Sequence, residues 1–263
     1  MNQMRFQKPA TKNQISRPTQ VILTGLRSAV IGPNLIYEAY RTVVPTVIVG
    51  MEYNVRIRLL EGNIETLQAP VIVIPPGTLC EIQSQGDIAI MFCDVAGDNY
   101  ADIELQGVEK SIQGLRERLK SGPKNMSPQQ FIEDVFSCLG ITAGKPIRSE
   151  ISRVVTALGR EPQLFSSVDV AAELAGLSSM RFQHIFTELL GIPFRRYRQW
   201  RRMGIVIRAL ANGENLTEAA YRSGFSNSAH LATAFKAMFG LSPSDLIRTN
   251  VEYYLAALQE GGA

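Results

Sequence analysis

Two stretches of this chain carry outward polar and basic side chains in the same pattern. GLSSMRFQHIFTELLGIPF begins at Gly176, and GFSNSAHLATAFKAMFGLSP begins at Gly224. In each stretch a glycine turn precedes apolar residues at helical spacing, which is typical of a helix-turn-helix. The second helix of such a unit enters the major groove of DNA, so its outward side chains can hydrogen-bond to base edges.

The second helix of each copy is predicted to bury one face and to expose the other. The predicted core residues are Phe182, Ile185, Phe186, Leu189 and Leu190 in the first copy and Leu231, Ala234, Phe235, Met238 and Phe239 in the second. The residues predicted to contact DNA are Ser179, Met180, Arg181, Gln183 and His184 in the first copy and Ser228, Ala229, His230 and Thr233 in the second. Ala229 and Thr233 offer only a methyl contact or a single hydrogen bond, so we expect the first copy to supply most of the sequence readout.

The segment between the copies, PFRRYRQWRRMGIVIRAL, has six arginines and no acidic residue. Because unopposed positive charge attracts phosphate, this helix is predicted to contact the DNA backbone, with Arg201 and Arg202 as candidates. A solvated basic face is the alternative. An apolar stripe is predicted to pack between the two units and to place them about 34 Å apart, in successive turns of the major groove. It comprises Tyr197, Trp200 or Met203, and Ile207.

A basic arm precedes the first predicted strand, without acidic neighbours. It carries Arg5, Lys8, Lys12 and Arg17. Such an arm can close over an anionic small-molecule effector, since arginine pairs bidentately with phosphate or carboxylate. A solubilising tail is the alternative. An arm before a β-barrel is similar to the PilZ-type arrangement for cyclic di-GMP, although the RxxxR spacing of that family is absent, so cyclic di-GMP is one candidate effector.

Few residues are suited to metal or redox chemistry. The only histidines, His184 and His230, lie in the C-terminal third. A metal-dependent cupin enzyme usually needs two or three histidines with a carboxylate, so we expect no metal site, no catalytic cofactor and no enzymatic activity. Cys80, Cys93 and Cys138 form no CxxC pair. They are predicted to be reduced core residues, with a redox sensor as the alternative.

The elements before residue 95 are β-rich. The apolar runs are VILTGL, VVPTVIVG, YNVRIRLL, VIVIPPG and DIAIMFCDV. Alternation in the third run puts Tyr53, Val55, Ile57 and Leu59 on one buried face. The segment VIVIPPGTLCEI resembles the strand-turn-strand of the cupin barrel. Helical spacing at 108–119 and 131–139 then predicts a helical hairpin that either covers the barrel or forms a dimer interface.

From Ser149 onward every segment has a helical period, with capping residues at Asp169, Ser178 and Asn227. We therefore predict a two-domain α+β chain. A basic arm at 1–20 precedes a cupin-like antiparallel β-barrel with a helical hairpin at 21–145, and an all-α domain with two helix-turn-helix units follows at 146–263. GKP at 144–146 is the predicted joint.

The composition is that of a soluble globular protein, with 45% apolar and 19% charged residues. The longest apolar stretch, VVPTVIVGM, is too short to cross a bilayer. The first residues have no apolar core typical of a signal peptide. These features predict a cytoplasmic protein without a membrane partner.

The run from Val168 to Arg248 resembles the DNA-binding domain of the AraC/XylS transcription regulators. The resemblance lies in GF at 224–225, AFKAMFG at 234–240 and SPSDLIR at 242–248. It implies two helix-turn-helix units on a direct, nonpalindromic site in double-stranded DNA, read by Met180, Gln183, His184, Ser228, Ala229 and Thr233. It also implies an effector-binding or dimerising barrel.

The function implied by this resemblance is that of an effector-responsive, sequence-specific activator of transcription. We expect a homodimer through the N-terminal domain that acts with RNA polymerase. An effector-independent or nonspecific architectural DNA-binding protein is the alternative.

Overall fold

The structure is a computed structural model that describes residues 17–25, 27–33, 37–62, 64–93, 95–96, 98–99, 105–143 and 147–256. Short strands dominate its N-terminal part: β1 (Thr19–Thr24), β2 (Arg27–Gly32), β3 (Tyr40–Arg41), β4 (Thr46–Gly50), β5 (Val55–Leu59), β6 (Thr66–Ala69), β7 (Val71–Ile74), β8 (Leu79–Gln83) and β9 (Ile88–Phe92). β10 (Asp98–Asn99) pairs with β11 (Thr142–Ala143), and β12 (Val251–Leu255) lies far along the chain.

Most strands form two sheets that share an apolar core. The first has the order β12-β1-β2-β9-β4-β7 and the second the order β3-β8-β5-β6. β4 and β9 are buried along their whole length, because the first sheet packs on both faces. β5 alternates as predicted, with Val55 and Ile57 buried and Arg56 and Arg58 exposed. Tyr53 was wrongly placed on the buried face: it precedes the strand and is exposed.

A helical hairpin covers the outer face of the first sheet. It consists of α1 (Leu105–Ser121) and α2 (Pro128–Cys138). Leu115, Leu119, Phe131 and Val135 are buried against that sheet, which is the covering role predicted as one of two alternatives. Ser127 starts α2 with a capping box, in which its hydroxyl accepts a hydrogen bond from a backbone N–H of the first turn.

The C-terminal part is mainly helical. Its helices are α3 (Ser149–Arg160), α4 (Val168–Ala175), α5 (Ser179–Leu190), α6 (Phe194–Ala211), α7 (Leu216–Arg222), α8 (Ser228–Phe239) and α9 (Pro243–Ile247), with a 3-10 turn at Pro162–Leu164. Their buried faces are continuous with the core between the sheets. The helices and the strands therefore share one apolar interior.

β12 contradicts the prediction that every segment after Ser149 is helical. It pairs in parallel with β1, from Thr19 beside Val251 to Leu23 beside Leu255. Asn250 lies between α9 and β12 and has a φ of 55°; asparagine tolerates this left-handed conformation better than most residues. Residues predicted to end the DNA-binding domain thus extend the N-terminal sheet.

The predicted α+β class, with a β-rich N-terminal and a helical C-terminal part, is confirmed. In the described strands the barrel takes the form of two sheets with separate ladders. Cys80 and Cys93 are buried, whereas Cys138 is exposed, contrary to its predicted core position. Arg5, Lys8 and Lys12 of the arm and the joint at 144–146 lie outside the described residues, and Arg17 is exposed.

Candidate DNA interface and interdomain cavity

The first helix-turn-helix unit consists of α4 and α5. The Ser167 hydroxyl accepts a hydrogen bond from the Asp169 backbone N–H at 3.2 Å, so Ser167 caps α4 and the predicted cap, Asp169, lies in its first turn. The Asp169 carboxylate instead accepts a hydrogen bond from the Ser179 hydroxyl, which joins the two helices. α5 begins after Ser178 as predicted and ends at Leu190, with Gly191 as its C-cap.

The start of α5 presents most of its predicted DNA-contacting side chains to solvent. Met180 is 82% exposed, and Arg181, Gln183 and His184 are also exposed. Ser179 is half-buried, because its hydroxyl is bound to α4. The inward positions are filled as predicted by Phe182, Ile185, Phe186 and Leu190, whereas Leu189, which was also predicted to be inward, lies on the exposed flank.

The second unit consists of α7 and α8. The Asn227 side chain caps α8 by accepting a hydrogen bond from the backbone of His230 at 2.7 Å. Ala229, His230 and Thr233 are exposed and Ser228 is half-buried. The Thr233 hydroxyl donates to the Ala229 carbonyl at 3.0 Å, and His230 Nδ1 lies 3.1 Å from the Ser226 hydroxyl. Two potential base-readers are therefore already engaged within the unit, and their DNA contacts stay predictions.

Five of the six arginines of α6 are bonded to backbone carbonyls, and the sixth, Arg195, is exposed. Arg201, half-buried, donates to the Gly25 carbonyl at 3.3 Å, and Arg202 donates to the Gly224 carbonyl at the same distance. The other carbonyl acceptors are Arg41 for Arg196, Phe165 and Ser166 for Arg198, and Ala256 for Arg208. These side chains hold α6 to its neighbours, and contacts of Arg201 and Arg202 with DNA phosphate stay a prediction.

The second unit and α6 both pack directly against the sheets. The ring centroids of Phe92 and Trp200 lie 5.0 Å apart, and those of Phe92 and Phe239 lie 5.8 Å apart. The Glu38 backbone N–H donates to the Gly240 carbonyl at 2.7 Å, and the Lys236 ammonium lies 2.8 Å from the Glu38 carboxylate. The end of α8 is therefore docked on the segment before β3.

An apolar cavity of about 110 Å³ lies between the sheets and the helices. Val21 and Leu23 of β1 form one side, and α6 forms another through Met203 and Gly204. Tyr37, Tyr40, Phe92 and Phe239 also line it. Residues from both halves of the chain therefore line one space.

The polar groups at this cavity include arginines and tyrosines. Arg160, Arg201 and Arg208 line it. Nε of Arg201 and Nη2 of Arg208 are buried and find no hydrogen-bond acceptor within the described part of the chain. Burial, and secondarily the nearby Arg201 guanidinium, lowers the pKa of Arg208. Burial raises the pKa of Tyr37, so its hydroxyl stays protonated and can donate.

A family model described as a helix-turn-helix domain matches residues 171–249. That range contains α5 to α9 and all of α4 except its first three residues. The C-terminal part is an AraC-type helix-turn-helix domain. This match confirms the resemblance to AraC/XylS regulators that the motifs at 224–248 indicated. No curated protein sequence matches the chain significantly.

The fold around the AraC-type domain is similar to that of ToxT from Vibrio cholerae. An apo ToxT lysine variant has a TM-score of 0.60 and 12% identity, over 85% of this chain and 97% of that chain. ToxT bound to an unsaturated fatty acid has a TM-score of 0.52 and 11% identity, over 91% and 98%. ToxT bound to (E)-4-(8-methylnaphthalen-1-yl)but-3-enoic acid has a TM-score of 0.54 and 11% identity, over 85% and 99%. The likeness shows a shared fold.

The sequence does not predict that Tyr37, Tyr40 and Arg208 line a common cavity. Tyr37 and Tyr40 stand outside any periodic run, and Arg208 was noticed only as part of the charge of α6. Within the described residues there is no group of three or more His, Cys, Asp or Glu side chains placed to hold a metal. Nor is any described helix long and apolar enough to cross a membrane.

Proposed function

We propose that this protein is an effector-responsive, sequence-specific regulator of transcription, and not an enzyme. Its AraC-type domain reads double-stranded DNA with α5 and α8. A small molecule in the interdomain cavity controls that reading. The cavity carries the proposal, because β1 and α6 both line it and its occupant therefore contacts both halves of the chain.

The proposed effector is an amphipathic anion. The apolar lining would cover the part of a hydrocarbon chain nearest the head group, and the unsatisfied N–H groups of Arg201 and Arg208 would bind an acidic head group. Both ligands in the ToxT structures are carboxylic acids. An unsaturated fatty acid is therefore the first effector to test.

Other parts of the proposal concern the partners. The protein acts as a homodimer through its N-terminal domain and activates transcription with RNA polymerase. A cyclic dinucleotide such as cyclic di-GMP, held by Arg5, Lys8, Lys12 and Arg17, is a second candidate effector. Run-off transcription from a selected promoter site measures activation, and loss of cyclic di-GMP binding on deleting residues 1–18 tests the arm.

The test begins with a DNA site obtained by selection from a random library. Fluorescence anisotropy then measures the Kd of the full chain for that site and for scrambled DNA, with and without oleate. We expect the selected site to bind about a thousandfold or more tighter than scrambled DNA. Oleate should change the Kd for the selected site about fivefold or more. Equal affinity for both DNAs would identify an architectural binder, and no response to any effector tested would remove the sensing part of the proposal.

Gly204 offers a matched control for the site of binding. It lines the cavity within α6, and a Cβ at this position would meet no atom within 4 Å outside its local helix backbone. Gly204→Leu is expected to fill the cavity and abolish the oleate response, whereas Gly204→Ala should retain it. If Gly204→Leu responds to oleate as the wild type does, the effector binds elsewhere.

A further inference from the structure

We propose that β12 is an intramolecular clasp that holds the second helix-turn-helix unit against the N-terminal sheet, and that opening this clasp raises DNA affinity. The observation is the parallel pairing of Val251–Leu255 with β1. β12 follows α9 directly and so continues the DNA-binding domain. The strand it pairs with belongs to the other half of the chain.

The clasp is bonded to both halves of the molecule at its far end. The Ala256 backbone N–H donates to the Leu23 carbonyl at 2.9 Å, while Arg208 of α6 donates to the Ala256 carbonyl at 2.9 Å. Close by, Arg201 of α6 reaches the Gly25 carbonyl just after β1. The end of β12 therefore joins the sheet to the helix that connects the two units.

The second unit is held in a further place. The end of α8 is docked through Glu38, which bonds to both Gly240 and Lys236. With β12 clasped as well, the N-terminal sheets determine how this unit is oriented. A unit held in this way cannot adjust its recognition helix to the groove, so the closed arrangement is the state of lower DNA affinity.

The clasp and the cavity share β1 and two arginines. Val21 and Leu23 line the cavity and lie in the strand that pairs with β12. Arg201 and Arg208 line the cavity and bond to the chain at the ends of β1 and β12. A ligand between the halves contacts both of them and so favours the closed arrangement. This link to the effector rests on the proposed function, whereas the clasp itself does not require a ligand.

A reversible disulfide tests the clasp without any effector. Gln20 and Glu252 are register partners on neighbouring strands. The Cα atoms of such partners lie about 4.8 Å apart, which is within the Cα–Cα range of a disulfide. The double variant Gln20→Cys/Glu252→Cys is made with Cys138→Ser, since Cys138 is exposed and would cross-link molecules. We expect the oxidised form to bind the selected DNA site about tenfold more weakly than the reduced form. Gln20→Cys alone, with Cys138→Ser, should show no redox dependence.

A second pair of variants opens the clasp. Along a strand, every second backbone N–H points to the same neighbouring strand. The N–H of Ala256 points to β1, so the N–H of Glu252, four residues earlier, points to β1 as well. Glu252→Pro removes that donor, whereas Glu252→Ala keeps it and loses the same carboxylate. Glu252→Pro should bind DNA about tenfold more tightly than Glu252→Ala and should no longer respond to oleate.

The outcomes separate the two proposals. If oxidised and reduced forms bind DNA equally and Glu252→Pro matches Glu252→Ala, the clasp is overturned even when oleate acts on the wild type. If redox state changes DNA affinity but oleate leaves the wild type unchanged, the clasp stands and the anionic effector fails.

Discussion

Gly240 and Gly191 follow equivalent helices of the two repeats. Replacing each by alanine separates the unfolding free energy lost to local backbone strain from that lost when α8 no longer docks on the sheets. Both glycines adopt the left-handed region, with φ of 73° and 70°. Alanine there costs roughly 1–2 kcal/mol. A Cβ at Gly191 would meet only Pro76 Cγ at 3.7 Å, which is ordinary contact. We therefore expect Gly191→Ala to lose about 1–2 kcal/mol of unfolding free energy.

A Cβ at Gly240 would lie 2.5 Å from the Glu38 carbonyl oxygen and 2.8 Å from Tyr40 Cδ1. Relief requires α8 to move away from the sheets, which removes the Glu38 to Gly240 hydrogen bond, a loss of about 1 kcal/mol, and disturbs close packing at about 1–3 kcal/mol. Loss of the exposed Lys236–Glu38 ion pair adds little to the loss of unfolding free energy.

The total loss of unfolding free energy expected for Gly240→Ala is roughly 3–6 kcal/mol. Equilibrium urea unfolding, followed by circular dichroism and tryptophan fluorescence, measures both variants against the wild type. Losses equal within about 0.5 kcal/mol would refute the idea that the end of α8 is tightly docked on the segment before β3.

The remaining predictions concern readout, capping and titration. Gln183→Ala should relax sequence preference in a binding-site selection more than Thr233→Ala does; the reverse order would contradict this. Both side chains donate to a carbonyl of their own helix, Gln183 to Ser179 at 3.3 Å and Thr233 to Ala229 at 3.0 Å. The glutamine amide keeps a second N–H and its oxygen for a base edge, whereas the threonine hydroxyl has already donated its one proton. Asn227→Ala removes the α8 cap and should cost about 1 kcal/mol in urea unfolding. Burial raises the pKa of the Cys80 thiol from its usual value of 9.0 to about 11. The stability that the buried, protonated thiol contributes is therefore complete below pH 9 and is lost as the pH rises towards 11. At pH 8 mass spectrometry should find iodoacetamide on exposed Cys138 and not on Cys80.

Local physics made the helical units predictable from the sequence. Phe182 and Phe186, like Leu231 and Phe235, recur at the spacing of one helix face, and the structure buries all four. Ser178 and Asn227 cap α5 and α8 as predicted, because a cap bonds to residues two or three positions along the same chain. Solvent exposure of Met180 and Gln183 follows from the same periodicity.

The tertiary structure alone decided what the arginines of α6 bind and where β12 lies. A run of arginines indicates positive charge, but its partners here are carbonyls of distant segments, such as Gly25 for Arg201 and Ala256 for Arg208. β12 follows an all-helical stretch, and its pairing depends on the open edge of β1 at the other end of the chain. The cavity exists where side chains from both halves leave space between them, and spacing along one sequence carries no information about that space. The sequence by itself therefore determined the DNA-reading units, whereas long-range packing determined how they are joined to the sheet.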